Sequence, residues 1–196
     1  DCVEKHGFLP TGEIQQLNSY ENRVFDIQLE PVDNQKQNLI AKFYRPGRWS
    51  LETLFDEHNF EIELKNESLQ VAAPYILKNK STVDSVNGIY YTFFEKIRGR
   101  LIQEFLPNDF LKMGRWMAQL HNIGEAKWAE HRATLGPSAD HKWDLLDQMY
   151  DAVAVEVRTK YFDAAEKIFN ALDGKLNDHP FIRIHGDLHR GNILES

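Results

Sequence analysis

Residues 184–194 read IHGDLHRGNIL, and this stretch decides what the rest of the chain has to supply. It carries the pattern H-x-D-x-x-x-x-N in His185, Asp187 and Asn192, directly after the short segment PFIRI. A carboxylate on a rigid turn can orient an acceptor hydroxyl and take its proton. An amide oxygen five residues on can hold the magnesium that neutralises a nucleotide's phosphates. On that reading Asp187 is the base, Asn192 a metal ligand and His185 a brace for the loop backbone. A short HxDxxxxN also arises in strand-to-loop turns whose Asp and Asn bond to nearby backbone. The longer string HGDLHRGN, with two glycines and two histidines, is more specific than turn chemistry requires.

Phosphoryl transfer from ATP also needs a cation on the phosphates, and LIAKF offers Lys42 in an otherwise apolar strand. Alternation places it on one face with Ile40 and Tyr44. Strand lysines are most often solvated edge residues, but the following helix carries a partner in Glu57. We select Glu57 over Glu61 and Glu63 because Phe60 and Leu64 then lie on the adjoining face, toward the sheet. A cover for the nucleotide is less visible, since the chain has no G-x-G-x-x-G. In its place LNSYENRVF sets Ser19, Glu21 and Asn22 in a polar turn that can present N–H groups and a side-chain amide to phosphates. In the connector FFEKIRGR the Glu95 carbonyl and Ile97 N–H share one backbone edge, where an adenine can bond. Read alone, the turn is only polar and the connector only a linker with a glycine.

The surrounding pattern places these residues on two lobes. NRVFDIQLE alternates with period two and puts Phe25, Ile27 and Leu29 on one face. VDNQKQ is turn-like, and NLIAKFYR completes a hairpin. Ser50 is a candidate N-cap for a helix through SLETLFDEHNFEIELKNE. YILKNKSTVDSVNGIYYTFFEKI returns to strands around a turn at Asn87-Gly88. From Pro107 the chain turns helical. Phe110, Met113, Met117, Leu120 and His121 form one stripe ending at Gly124, with the two methionines read as core. HKWDLLDQMYDAVAVEVRTKYFDAAEKIFNAL reads as one long helix or two, closed by Asp173-Gly174. KFYRPGRW is a turn packed beneath the hairpin as readily as a binding site. The expected fold is α+β with two lobes, 1–97 rich in strand and binding nucleotide, 98–196 mostly helical and ending just after the loop.

Composition narrows the function classes. The chain has 196 residues, a formal net charge of −7 and one cysteine. The acidic balance argues against a nucleic-acid binder that works by neutralising phosphates. A lone Cys2 leaves no intrachain disulfide, which favours a reducing cytoplasm. No apolar run reaches the ~18 residues that span a bilayer. The chain opens on Asp1 inside a helical pattern, so both ends read as cut.

The order Lys42, Glu57, connector, then His185, Asp187 and Asn192 resembles the aminoglycoside phosphotransferase/choline kinase-like branch of the protein-kinase superfamily. More narrowly, GFLPTGEIQQLNSYENRVFDIQLE with AKFYRPGRWS and DEHNF resembles the bacterial stress response kinase A family. The resemblance implies a two-lobe protein-kinase-like fold in a cytoplasmic serine/threonine protein kinase. It also implies ATP and Mg2+ as cofactors, Asp187 as base, Asn192 as magnesium ligand, Lys42 on the phosphates and Ser19 near the nucleotide. The family carries a second, acidic magnesium ligand on a strand after the loop, and the chain stops at Ser196 before one occurs. The expectation is therefore a C-terminally incomplete kinase that is inactive as it stands. A kinase for a small hydroxylated molecule, and a pseudokinase acting as a nucleotide-binding scaffold, stand as alternatives.

Overall fold

The computed structural model describes residues 2–102, 104–135, 141–172, 175 and 180–195. Its elements run α1 (Cys2–Lys5), β1 (Pro10–Leu17), β2 (Arg23–Val32), β3 (Gln35–Phe43), α2 (Leu51–Asn66), β4 (Asp84–Val86), β5 (Ile89–Glu95), β6 (Arg100–Leu101) and α3 (Pro107–Glu125). After these come α4 (His141–Gln148), α5 (Val155–Leu172), a 3-10 turn at Arg190–Asn192 and β7 (Leu194–Glu195). Two compact units are formed, Asp1–Arg132 with Arg183–Ser196, and Ala133–Ile182.

In the first unit five antiparallel strands lie in the order β1-β2-β3-β5-β4. Two tight turns set the register. Asp33-Asn34 (φ 50 and 61) joins β2 to β3, and Asn87-Gly88 (φ 50 and 77) joins β4 to β5. Positive φ at both central residues matches the twist of the flanking strands, which is why Asn, Asp and Gly occupy them. The strand reading over 75–97 is too generous, since only 84–86 and 89–95 enter the sheet. Residues 75–83 form a turn instead, closed by Leu77 N–H to the Ser81 carbonyl at 2.8 Å.

One face of the sheet holds the core, with Ile27, Leu29, Leu39, Ala41, Tyr91 and Phe93 buried together under α1. His6 fixes α1 there, its Nε2 lying 3.0 Å from the Tyr91 hydroxyl and 2.9 Å from Asp84. The opposite face, with Lys42, Thr92 and Phe94, receives α2. Ser50 starts α2 as the sequence suggests, its hydroxyl accepting from Thr53 N–H at 3.2 Å. The helix stops where Ser68 takes φ 65 and Leu69 N–H returns to the Leu64 carbonyl at 2.9 Å.

Two expectations about helix faces are corrected. Phe60 and Leu64 do not face the sheet; they pack with Leu69 against Trp116, Leu120 and Ile123 of α3. α2 meets the sheet through Glu57, on Lys42, and through His58, fully buried and edge-on to Phe94 at 6.2 Å. In α3 the stripe that packs on this cluster is the buried Leu120 with the partly buried Trp116 and Ile123, and it does not include the methionines. Met117 is 37% exposed and Met113 half-buried. The helix does end where Gly124 suggests, α3 closing one residue later at Glu125.

In the second unit α4 and α5 are separate helices, divided by residues 149–154. Trp143 meets Phe169 edge-on at 5.0 Å, and Arg158 lies over Tyr150 while donating to the Val153 carbonyl. The expected stop at Asp173-Gly174 lies outside the described residues.

Candidate active site

Lys42 lies on the central strand β3, not at an edge, and its side chain is only 23% exposed. Its ammonium is 3.0 Å from Glu57 Oε1 and 4.8 Å from the centre of the Tyr44 ring. The alternation that placed Lys42 with Tyr44 thus has a physical outcome, an ammonium lodged over an aromatic face. Glu57 Oε2 accepts from Arg132 Nη1 at 3.0 Å, so the carboxylate is shared by two cations. Burial acts to raise the Glu57 carboxyl. Lys42, then Arg132 and His58, overcome it and hold the group below the usual carboxylate range.

Sequence reasoning missed the groups that support this pair. Burial, then the charge of Glu57, pushes Glu61 up to about 8, against the pull of Lys42 and Arg132. Its Oε2 is buried without a hydrogen-bond partner. His58 is held on both sides, Nε2 by the Tyr44 hydroxyl and Nδ1 by Thr82 Oγ1, each at 2.7 Å. Burial drops it to about 4. Glu57, His58 and Glu61 lie close enough to suggest a metal cluster. The donors argue otherwise, since both His58 nitrogens and both Glu57 oxygens already have partners. The only sequence signal for Glu61 was its i,i+4 spacing from Glu57. Arg132 had none.

The loop at 185–192 is built from its own side chains. Gly186 takes φ 77, a left-handed conformation that suits glycine. His185 Nδ1 accepts from Asp187 N–H at 3.2 Å, and burial lowers its pKa. His189 Nδ1 accepts from Gly191 N–H at 3.0 Å. The Asn192 amide NH2 donates to the Asp187 carbonyl at 2.8 Å and to its carboxylate at 3.1 Å. The Asn192 amide NH2 is thereby engaged, leaving Oδ1 without a hydrogen bond among the described residues, while the Asp187 side chain remains 78% exposed. Asp187 and Asn192 offer hard oxygen donors, which fit magnesium better than zinc.

The remaining candidates lie near the ends of strands. In the β1–β2 turn Asn22 N–H donates to Ser19 Oγ, and Asn22 Oδ1 accepts from Arg45 N–H, both at 3.4 Å. Glu21 is fixed by Arg48 at 3.0 Å. Glu95 ends β5 opposite Leu39, and Ile97 is exposed in the connector. Lys96, between them, pairs with the buried Asp26. Beyond the connector β6 pairs with β7, so the exit of the loop is tied to the segment that follows Ile97. Among the described residues no hydrogen bond or ion pair joins Lys42 or Glu57 to Asp187 or Asn192. Glu57 is nonetheless close enough for its charge to act on His185.

Residues 13–195 match the family model described as the phosphotransferase enzyme family. The chain belongs to this family. Among curated members it is 29% identical to stress response kinase A of Escherichia coli and 30% identical to the serine/threonine protein kinase RdoA of Salmonella typhimurium. Each match covers 99% of the chain and 58% of the relative. The chain thus spans a little over half the length of these phosphotransferase relatives. Among solved structures, amicoumacin kinase hAmiN, in complex with AMP-PNP, Ca2+ and amicoumacin, superposes with a TM-score of 0.78. It does so at 16% identity over all of this chain and 59% of that one. Spectinomycin phosphotransferase in complex with ADP and spectinomycin gives 0.60 at 12% identity over 93% of this chain and 60% of that one. At such identities the likeness concerns the fold alone.

Proposed function

We propose that this chain is the nucleotide-binding and catalytic-loop part of a kinase that transfers a phosphoryl group from ATP to serine or threonine hydroxyls of a protein. The observation that carries the reading is the exposed Asp187 carboxylate locked against the amide of Asn192. Residues 1–97 act as the nucleotide lobe and 98–196 as the helical lobe. The acidic balance of the chain argues against nucleic acid as a partner. No helix among the described residues is long and apolar enough to cross a membrane. The lone cysteine agrees with a cytoplasmic setting.

Bound ATP and magnesium would supply the transferable phosphoryl group and the charge that neutralises it. Asp187 orients the acceptor hydroxyl and receives its proton as the oxygen attacks. Asn192 would hold the metal through Oδ1. Lys42 holds the phosphate oxygens, and Glu57 keeps its ammonium extended from the sheet. Ser19 and Asn22 cover the phosphates, while the Glu95 carbonyl and Ile97 N–H bond the adenine edge. Protein as acceptor is supported by the names of the curated relatives, both of which are protein or stress-response kinases.

The test uses the full-length protein and its Asp187→Ala variant, with labelled γ-phosphate offered to protein acceptors and to a panel of amino alcohols and aminoglycosides. Label in protein serine or threonine, lost in the variant while nucleotide still binds, is the expected result. Label confined to a small molecule moves the acceptor to that class. Binding without transfer identifies a scaffold.

A further inference from the structure

Arg183 stands two residues before His185 and four before Asp187, yet its side chain turns away from the loop into the protein. It is only 8% exposed. Its Nη2 donates to Glu63 Oε2 at 2.8 Å and to the Ile123 carbonyl at 3.1 Å, and its Nε to the Gly124 carbonyl at 3.4 Å. The guanidinium plane lies 4.4 Å from the centre of the Phe60 ring. The Arg183 backbone N–H also donates to the Gly124 carbonyl, at 3.2 Å. That approach is so close that a Cβ at Gly124 would fall 2.2 Å from the Arg183 carbonyl oxygen.

Glu63 belongs to α2, the helix that carries Glu57. Six residues separate them, roughly 9 Å along the axis. One rigid helix therefore grips Lys42 near its middle and the entry to the Asp187 loop near its end. A movement of α2 that parts Glu57 from Lys42 also pulls on Arg183. Glu63 is suited to this grip. Burial acts to raise its carboxyl, and Arg183 and Lys127 overcome that and keep it ionised. A fork-shaped guanidinium with three acceptors holds an orientation that a single ammonium cannot.

We propose that Arg183 is a positioning residue that couples the orientation of α2, and with it the Lys42–Glu57 pair, to the setting of the Asp187 loop. The proposal rests on the kinase reading above. It differs from a plain structural clamp in what it requires of turnover.

The experiment compares full-length wild type with Arg183→Lys, Glu63→Gln, their double variant and Lys127→Ala. Lys127 takes the other Glu63 oxygen at 2.7 Å from the exposed side, so its loss removes a charge without touching the tie. Arg183→Lys and Glu63→Gln should each lower kcat roughly ten- to hundredfold, with KM for ATP within about twofold of wild type. The double variant should be no worse than the poorer single, because both break one link. Lys127→Ala should keep its kcat. A fall in Tm with kcat unchanged at permissive temperature overturns the proposal, as does an equal loss in Lys127→Ala. If the wild type transfers no phosphoryl group to any acceptor, the kinase reading fails by itself and amide exchange decides the coupling. Faster exchange in Glu63→Gln at the Asp187 and Asn192 amides, both bonded within the loop, supports the tie. Unchanged exchange there overturns it.

Discussion

The ammonium of Lys42 lies 3.0 Å from Glu57 Oε1, joining the centre of the sheet to the helix that crosses it. The second oxygen of the same carboxylate is held by Arg132. Glu57 is therefore paired on both oxygens, and its bond to Lys42 need not be broken to satisfy its charge. On the function proposed above, the shared arrangement would hold the Lys42 ammonium in place while a phosphate meets it.

Lys42→Met should accordingly separate activity from stability. We expect kcat/KM for ATP-dependent transfer to fall roughly hundredfold or more, as when one donor to a developing anion is removed. Stability should change by about 1 kcal/mol or less, because Arg132 still pairs Glu57. Steady-state kinetics beside urea unfolding checks both, and a collapse of the fold in Lys42→Met would sink the shared-carboxylate account.

Two glycines of α3 should respond in opposite senses to alanine. At Gly124 a Cβ meets the Arg183 backbone, which cannot swing aside, so Gly124→Ala should cost about 1–3 kcal/mol or more. At Gly114 nothing lies within 4 Å of the added carbon. There the substitution removes only the helix-interior penalty of glycine, so Gly114→Ala should stabilise by about 1 kcal/mol. Thermal unfolding of the pair is the measurement, and equal shifts would contradict the close approach.

The Asn192 amide restrains Asp187, and on the function proposed above its oxygen would hold the metal. Asn192→Ala should raise the magnesium concentration for half-maximal activity by about tenfold or more, as loss of a ligand or its support does. Asp187→Ala should instead lower kcat even at saturating magnesium, by about 10²–10⁴-fold. Titrating magnesium against both variants separates the roles, and an unshifted requirement in Asn192→Ala would remove it from the metal site.

Much of this was legible because it is local. The alternation of Phe25, Ile27 and Leu29, the Asn87-Gly88 turn and the Ser50 cap each depend on neighbours within a few residues. Lys42 and Glu57 were legible because a strand followed by a helix brings such residues together. Helix faces were harder. Phe60 and Leu64 lie on an apolar stripe that fits either the sheet or another helix, and only the packing of Trp116, Leu120 and Ile123 selects the latter. Gly124 marks the end of α3, but its second reason, the passage of Arg183, lies 59 residues away. Arg132 and Arg183 meet α2 through similarly distant contacts, which no periodicity announces.

The two buried titratable neighbours on α2 predict a pH profile with opposing slopes. Burial drops His58 from 6.5 to about 4. The unfolded chain then binds more protons between those values, and stability contributed by neutral His58 is lost as pH falls from 6.5 toward 4. Glu61 is raised from 4.5 to about 8, chiefly by burial and then by Glu57. Here the folded chain binds more protons, so stability is lost as pH rises from 4.5 toward 8. Between 4.5 and 6.5 the two slopes cancel; above 6.5 only Glu61 acts, with a slope of at most about 1.4 kcal/mol per pH unit. Glu61→Gln keeps the shape and cannot ionise. Urea unfolding from pH 5 to 8 should therefore show the wild type losing stability above 6.5, while Glu61→Gln does not. Below 6.5 Glu61→Gln should lose stability on acidification, with His58 no longer offset. Parallel curves for the two proteins would show that Glu61 is already ionised in the folded chain and that Lys42 and Arg132 outweigh its burial.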